Sequence, residues 1–380
     1  MSLAIAVLAL LASVEILGRI LYPLNREARS KREASRDYRR RLSYLGAGRN
    51  AQTLLRDLYL MEKRYLPFLG WLGAPNVRLS TIETNAQGFR DRAIEPRMKN
   101  EYRILITGGS FAWGVGASCN SMSVTGQLEA LFNQQGSERL YRVMNGAFLN
   151  WSSRHEYVVV TEYFDSFDPD LVISLSGYND LVSLSKGAEI DARPEARLLG
   201  QAVSDHLQPI GTLRALRKVA GTFGIWRIVV LAREVLAART PPPQQSYDYD
   251  LRHGSRRVER VAQRYLSIAD YLVRKGRRYL IALEPEIYSS KKPLTVEEFD
   301  LKSRFMEIDR NILPTLTRYR RELGSRLAER AGERFRFLDL ADVFDDEVGP
   351  VFIDYNHVCD RGNMLVAQAL VEALVELSAC

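Results

Sequence analysis

The sequence predicts a doubly wound α/β fold, a central parallel sheet with helices on both faces. Three observations carry that expectation. From about residue 100, short β-rich apolar runs alternate with helical patterns. Several runs are almost continuously hydrophobic, as strands buried on both faces must be. The residues with chemical potential each follow a predicted strand, at the edge where an open α/β sheet places its active site.

At the amino terminus, Ser2–Val14 (SLAIAVLALLASV) carries no charge, and apolar character continues to Leu24 with only Glu15 and Arg19 interrupting it. Those two stand four apart on one helical face, where they can pair. As a helix, Ser2–Tyr22 would reach about 30 Å, the thickness of a bilayer core. Residues 1–24 are therefore expected to form a single-pass membrane anchor, with a soluble amphipathic helix as the alternative. A cleavable signal peptide fits poorly, since no basic stretch precedes the apolar run and no clean small-x-small site follows it. Residues 25–50 read as a basic juxtamembrane helix or linker. One short basic flank favours a cytoplasmic body but leaves the orientation open.

Residues 51–98, with KRYLPFLGWLGAPN and TNAQGFRD, read as an extended, turn-rich extension packing on the core. The core domain is assigned to 99–380. Its expected strands are Arg103–Thr107 (RILIT), Tyr141–Asn145 (YRVMN), Asp170–Leu175 (DLVISL), Arg278–Leu283 (RYLIAL) and Arg336–Leu340 (RFLDL). Helical patterns cover Val124–Phe132, His155–Tyr163 and about Gly362 to Leu377. Residues 186–255 look mainly helical and end in TPPPQQSYDYD, so they read as an insertion, either a lid or a plain structural addition.

Composition narrows the function classes. Apolar residues make up 46% and charged residues 26% of the 380, which excludes a mostly disordered chain. The net charge of +7 is local, because nine Arg/Lys against three acids fall between Arg26 and Arg49. With the rest nearly balanced, the sequence does not argue for a nucleic-acid partner. Three widely spaced Cys and only four His make neither a disulfide framework nor a transition-metal cluster, so no metal and no cofactor are expected.

The chemistry lies in four blocks. After the first strand comes Gly108-Gly109-Ser110-Phe111-Ala112-Trp113-Gly114, a Ser on a tight turn opening a helix. No Lys follows the glycines, the phosphate-loop spacing is absent, and Ala112 breaks the G-x-S-x-G elbow. After the second comes Asn145-Gly146-Ala147-Phe148-Leu149-Asn150-Trp151-Ser152-Ser153, and after the third Ser176-Gly177-Tyr178-Asn179-Asp180. Asp180 is expected to cap its own helix and leave the Asn179 amide free for the cleft. After the fifth, with a loop between, comes Asp354-Tyr355-Asn356-His357, a carboxylate three residues before an imidazole it can orient. Singly these are weak signals. Together a Ser, an amide donor and a D-x-x-H pair at strand ends form a serine-hydrolase constellation.

At these residues the sequence resembles the SGNH (GDSL-like) hydrolase family, in GGSFAWG, NGAFLNWSS, GYND and DYNHVCDRGN. FDPDLVISLSGYNDL, LEPEIYSSKKPLTVEEF and the carboxyl-terminal helix are similar to bacterial membrane-anchored members. The resemblance spans about residues 80 to 378. It implies a flavodoxin-like three-layer α/β/α fold and a triad of Ser110, His357 and Asp354. It also implies an oxyanion hole of the Ser110 N–H, a main-chain N–H from the second block and the Asn179 amide. Two departures stand out. Gly109 replaces the usual Asp, and counting from Asn145 places the family's oxyanion glycine on Asn150 rather than Gly146. Asn can supply the N–H and tolerates left-handed backbone angles. Gly146 and Arg90, the latter in TNAQGFRD, are carried as possible substrate contacts, with packing the weightier role for Arg90.

The expected activity is that of a serine esterase acting on acyl or acetyl esters of a carbohydrate or lipid-linked glycan. The alternatives are an O-acyltransferase using the same triad and a catalytically idle glycan-binding or assembly protein. The ester substrate, the membrane and no nucleic acid are the expected partners.

Overall fold

Five parallel strands form the central sheet: β3 (Glu101–Gly108), β4 (Leu140–Asn145), β5 (Leu171–Ser176), β7 (Arg278–Leu283) and β9 (Phe335–Asp339), in the spatial order β4-β3-β5-β7-β9. Among the described residues the remaining strands are the hairpin β1 (Lys63–Leu66) and β2 (Gly70–Gly73), and the short pair β6 (Tyr247–Asp248) and β8 (Asp309–Arg310). The computed structural model describes residues 12–17, 19, 48–134, 139–185, 247–248 and 254–378. Two units divide the chain, Met1–Arg36 with Ala192–Gln245 and Asp37–Asp191 with Ser246–Cys380; the sheet lies in the second.

Counting only central strands, the order is second, first, third, fourth, fifth, which is the flavodoxin-like winding. From β3 the chain steps one way to β4, then reverses across β3 to β5 and continues to β7 and β9. With right-handed crossovers that reversal puts the first connecting helix on one face and the later ones on the other. Contacts agree. The Val124–Gln134 helix packs on β4 and on the final helix, Asp360–Ser378. The helices Ser153–Glu162 and Ile312–Ala328 both pack against Gly254–Arg274, which lies on β7. Every residue of β5 is buried, as a strand with helices above and below requires.

The five expected strands agree with the observed ones to within two residues at each end. Within 51–98, expected to be extended and turn-rich, residues 51–60 differ and the hairpin and turns that follow agree. Gly48–Leu60 is a helix, with Leu54 and Asp57 buried one turn apart, before the chain enters the hairpin. Beyond the hairpin, Phe89 is fully buried and meets Trp151 and Phe167 edge to face.

Of the expected span Ser2–Tyr22, residues 12–17 and 19 are described; they are helical, and Arg19 Nε donates to Glu15 Oε1 at 2.8 Å. Among the described residues no helix is long and apolar enough to cross a membrane. The rest of the span, residues 20–47, and most of the 186–255 insertion lie outside the described residues.

Candidate active site

The strand-order reversal leaves a crevice at the carboxyl ends of β3 and its two neighbours, and the chain turns sharply there. Gly108 closes β3 with φ +149°, and a Cβ on it would stand 2.1 Å from the Leu175 carbonyl oxygen on β5. Only glycine lets the two strands approach so closely. Ser110 then opens the one-turn helix Ser110–Trp113, closed by Gly114 in the left-handed region at φ 90°. Gly116 follows, and a Cβ on it would fall 1.8 Å from the Val358 carbonyl oxygen. The segment after Ser110 therefore lies directly on the residue after His357.

The Asp354–His357 turn is built from its own carboxylate. Asp354 is fully buried, and its Oδ1 accepts the backbone N–H groups of Asn356 at 3.1 Å and His357 at 2.9 Å. Its Oδ2 lies 2.7 Å from His357 Nδ1, and His357 Nε2 lies 2.7 Å from Ser110 Oγ. The structure thus joins three side chains that are up to 247 positions apart in sequence. Because an ionised carboxylate only accepts, His357 Nδ1 carries the proton and Nε2 presents its lone pair to the Ser110 hydroxyl. This is the arrangement a general base needs.

Two further donor groups follow β4 and β5. Asn150 sits in the left-handed region at φ 62°, and its backbone N–H has no partner among the described residues. Asn179, in the Tyr178–Ser185 helix after β5, directs its side-chain amide across Gly109 and donates one N–H to the Trp151 carbonyl oxygen at 2.7 Å. The second amide N–H remains for another acceptor.

The two possible substrate contacts are both engaged within the protein, which for Arg90 is the packing role that carried the greater weight. Gly146 donates its N–H to the Ile106 carbonyl oxygen at 2.8 Å, extending the β3–β4 ladder, and a Cβ there would stand 2.7 Å from Leu105 Cδ1. Arg90 is 2% exposed. Its Nε donates to Asn120 Oδ1 at 3.0 Å and its Nη2 to the carbonyls of Thr81 at 2.7 Å and Ala117 at 3.2 Å, while Nη1 donates to Gly114 O. Burial lowers its pKa to about 10. Arg90 staples the Gly114–Ala117 loop, with four of its five N–H donors bound inside the protein and its side chain out of solvent.

Other supports carried no sequence signal of their own. Glu298, fully buried, accepts the N–H groups of Val351 at 2.9 Å and Phe352 at 3.0 Å, where the triad turn begins. Its other oxygen pairs with Lys292 Nζ at 2.8 Å, both side chains being wholly buried. Glu298 lies in the LEPEIYSSKKPLTVEEF segment, where the family resemblance was visible but the role was not. Trp151 Nε1 donates to the Trp71 carbonyl oxygen at 3.0 Å, pinning the Asn150 loop to the hairpin. His155 stacks on Trp151 with ring centroids 5.8 Å apart, and burial beside Arg154 pushes its pKa down to about 4. It is a neutral packing group. Among the described residues no three His, Cys, Asp or Glu side chains are grouped to hold a metal ion.

No family profile and no curated protein matches the chain. Solved structures do. An acetyl xylan esterase matches with TM-score 0.40 and 12% identity over 71% of this chain and 98% of its own. An acetylxylan esterase from Geobacillus stearothermophilus matches with TM-score 0.39 and 12% identity, over 72% and 95%. A GDSL-like lipase from Bacteroides thetaiotaomicron matches with TM-score 0.38 and 9% identity, over 74% and 91%. At these scores and identities the likenesses decide neither family nor activity.

Proposed function

We propose that this chain is a serine esterase that cleaves acyl esters, acetyl esters above all, on a carbohydrate or lipid-linked glycan. The single observation that supports the chemistry is the run of 2.7 Å contacts from Asp354 through His357 to Ser110 Oγ. The substrate class rests on the sequence resemblance, as does an anchor at the uncharged amino-terminal run.

In the proposed reaction Ser110 Oγ attacks the ester carbonyl carbon while its proton passes to His357 Nε2. The carbonyl oxygen becomes an oxyanion held by the Ser110 N–H, the Asn150 N–H and the Asn179 amide. Collapse breaks the carbon–oxygen bond to the alcohol, which leaves with the proton from His357 Nε2. Water then attacks the acyl-serine, giving its proton to the same nitrogen, and the second collapse releases the acid and restores Ser110. Asp354 holds the imidazole in place and stabilises its charged form, which on model triads is worth about 10⁴ in rate.

A fluorophosphonate probe together with p-nitrophenyl acetate turnover tests the reading. Labelling abolished by Ser110→Ala and weakened by His357→Ala is expected. Folded protein that neither labels nor turns over the ester would refute it. Adding an oligosaccharide acceptor to the same assay separates hydrolysis from acyl transfer to a sugar hydroxyl.

A further inference from the structure

The loop carrying the Asn150 N–H and the helix carrying the Asn179 amide leave different strands, yet an oxyanion needs both donors within about 2.7–3.1 Å of one point. Apolar packing is non-directional and does not by itself fix their separation. A buried polar clamp joins them instead. Asp180, 3% exposed, accepts the Ser153 backbone N–H at 2.9 Å on Oδ2 and the Ser153 hydroxyl at 2.7 Å on Oδ1. Ser153 itself is fully buried.

Asp180 is the third residue of the Tyr178–Ser185 helix, and it does not cap that helix as the sequence led us to expect. It satisfies instead the first N–H of the neighbouring Ser153–Glu162 helix, one of the donors every helix start leaves over. Asn179 Nδ2 binds the Trp151 carbonyl two residues before Ser153, so three hydrogen bonds link residues 151–153 to residues 179–180. Tyr265 Oη lies 3.4 Å from Asp180 Oδ2, and Arg264 Nη1 stands 3.8 Å from its Oδ1 and 3.4 Å from Ser153 Oγ.

We infer that Asp180 is a positioning residue that sets the spacing between the two oxyanion donors by gripping both polar groups of Ser153. Asn179 is its chain neighbour, and Asn150 lies three residues before Ser153. The inference rests on the esterase reading and adds a residue that touches neither substrate nor the triad.

The test uses the full chain and the variants Asp180→Asn and Ser153→Ala, measured on an ester and on the matching thionoester. Sulfur accepts hydrogen bonds poorly, so the ester-to-thionoester preference reports the oxyanion hole and not general integrity. Asp180→Asn replaces one acceptor oxygen by a donor. It is expected to lower kcat on the ester about tenfold or more with KM within twofold. Its ester preference should fall towards that of Asn179→Ala, and the Asp180→Asn/Asn179→Ala double variant should lose less than the product of the single losses. A folded Asp180→Asn enzyme with the unmodified preference, or one that slows on both substrates equally, overturns the inference. Should Asp180→Asn not fold, Ser153→Ala, which removes only the hydroxyl bond, must lower the preference in the same direction, and an unchanged value overturns it equally. Failure of the esterase reading looks different: the unmodified protein takes no fluorophosphonate label and turns over neither substrate, and the inference falls with it.

Discussion

Asn179 lies across Gly109 so closely that a Cβ at that glycine would stand 2.4 Å from Asn179 Nδ2 and 3.0 Å from the Trp151 carbonyl oxygen. The departure at Gly109 from the Asp usual in the resembling family therefore has a steric counterpart: in this backbone a side chain there would push the amide aside. Gly109→Ala and Gly109→Asp are both expected to lower kcat, towards the about 10²–10³-fold loss that follows removal of one oxyanion donor. Fluorophosphonate labelling of Ser110 alongside ester turnover checks this, since full turnover in Gly109→Asp would show that Asn179 need not lie where it does.

Asn150 holds φ at 62°, where a residue with a Cβ is strained and Asn is among the few that settle. Asn150→Gly should leave turnover intact, because the oxyanion donor proposed at this position is a backbone N–H. Asn150→Ala keeps the N–H but loses about 1 kcal/mol or more to the left-handed backbone. Thermal melting and kcat measured on both variants separate the two effects.

Glu284 is 2% exposed; its Oε1 accepts the Tyr178 N–H at 2.9 Å, and its Oε2 has no partner among the described residues. Burial, with Glu156 and Asp180 nearby and Arg320 only partly offsetting them, pushes its pKa up from 4.5 to about 8. The folded chain then holds a proton that the unfolded chain has released, so stability is greatest below the unfolded value and declines as pH rises to about 8. Glu284→Gln resembles the protonated acid and should remove this slope. Melting curves of the two proteins should lie close at about pH 5, with the variant higher at about pH 9. Parallel curves at every pH would contradict the assignment.

Lys292 and Glu298 form a buried pair beneath the triad turn, with Nζ 2.8 Å from Oε2. Lys292→Met strands a buried carboxylate, at a cost of about 3–5 kcal/mol. A urea midpoint should record that loss, and ester turnover should decline with it because Glu298 holds Val351 and Phe352. A midpoint within error of the unmodified protein would show that the pair is dispensable.

Much of the sheet was legible because burial on both faces forces runs such as RILIT and RYLIAL to be apolar throughout, a local signal that needs no partner to be read. The helix at Gly48–Leu60 was not legible in this way. Its signal is an amphipathic pattern instead, on a face that also buries Asp57, whose carboxylate accepts the Thr81 N–H at 2.8 Å, a contact only the tertiary structure supplies. Arg90, for which packing already carried the greater weight, and Gly146 illustrate a related point. A guanidinium spent on carbonyls and a glycine spent on close packing look, in one dimension, like residues waiting for a ligand.

The order of residues along the chain determined the alternation of strand and helix and placed Ser110, Asn179 and the Asp354–His357 pair after strands. Those features depend on neighbours within a few positions. The tertiary structure alone decided that His357 meets Ser110, that Arg90 faces carbonyls, and that Asp180 caps a helix other than its own. Each of these is a contact between segments brought together by the strand order, and a hydrogen bond between residues far apart in sequence has no local pattern to announce it.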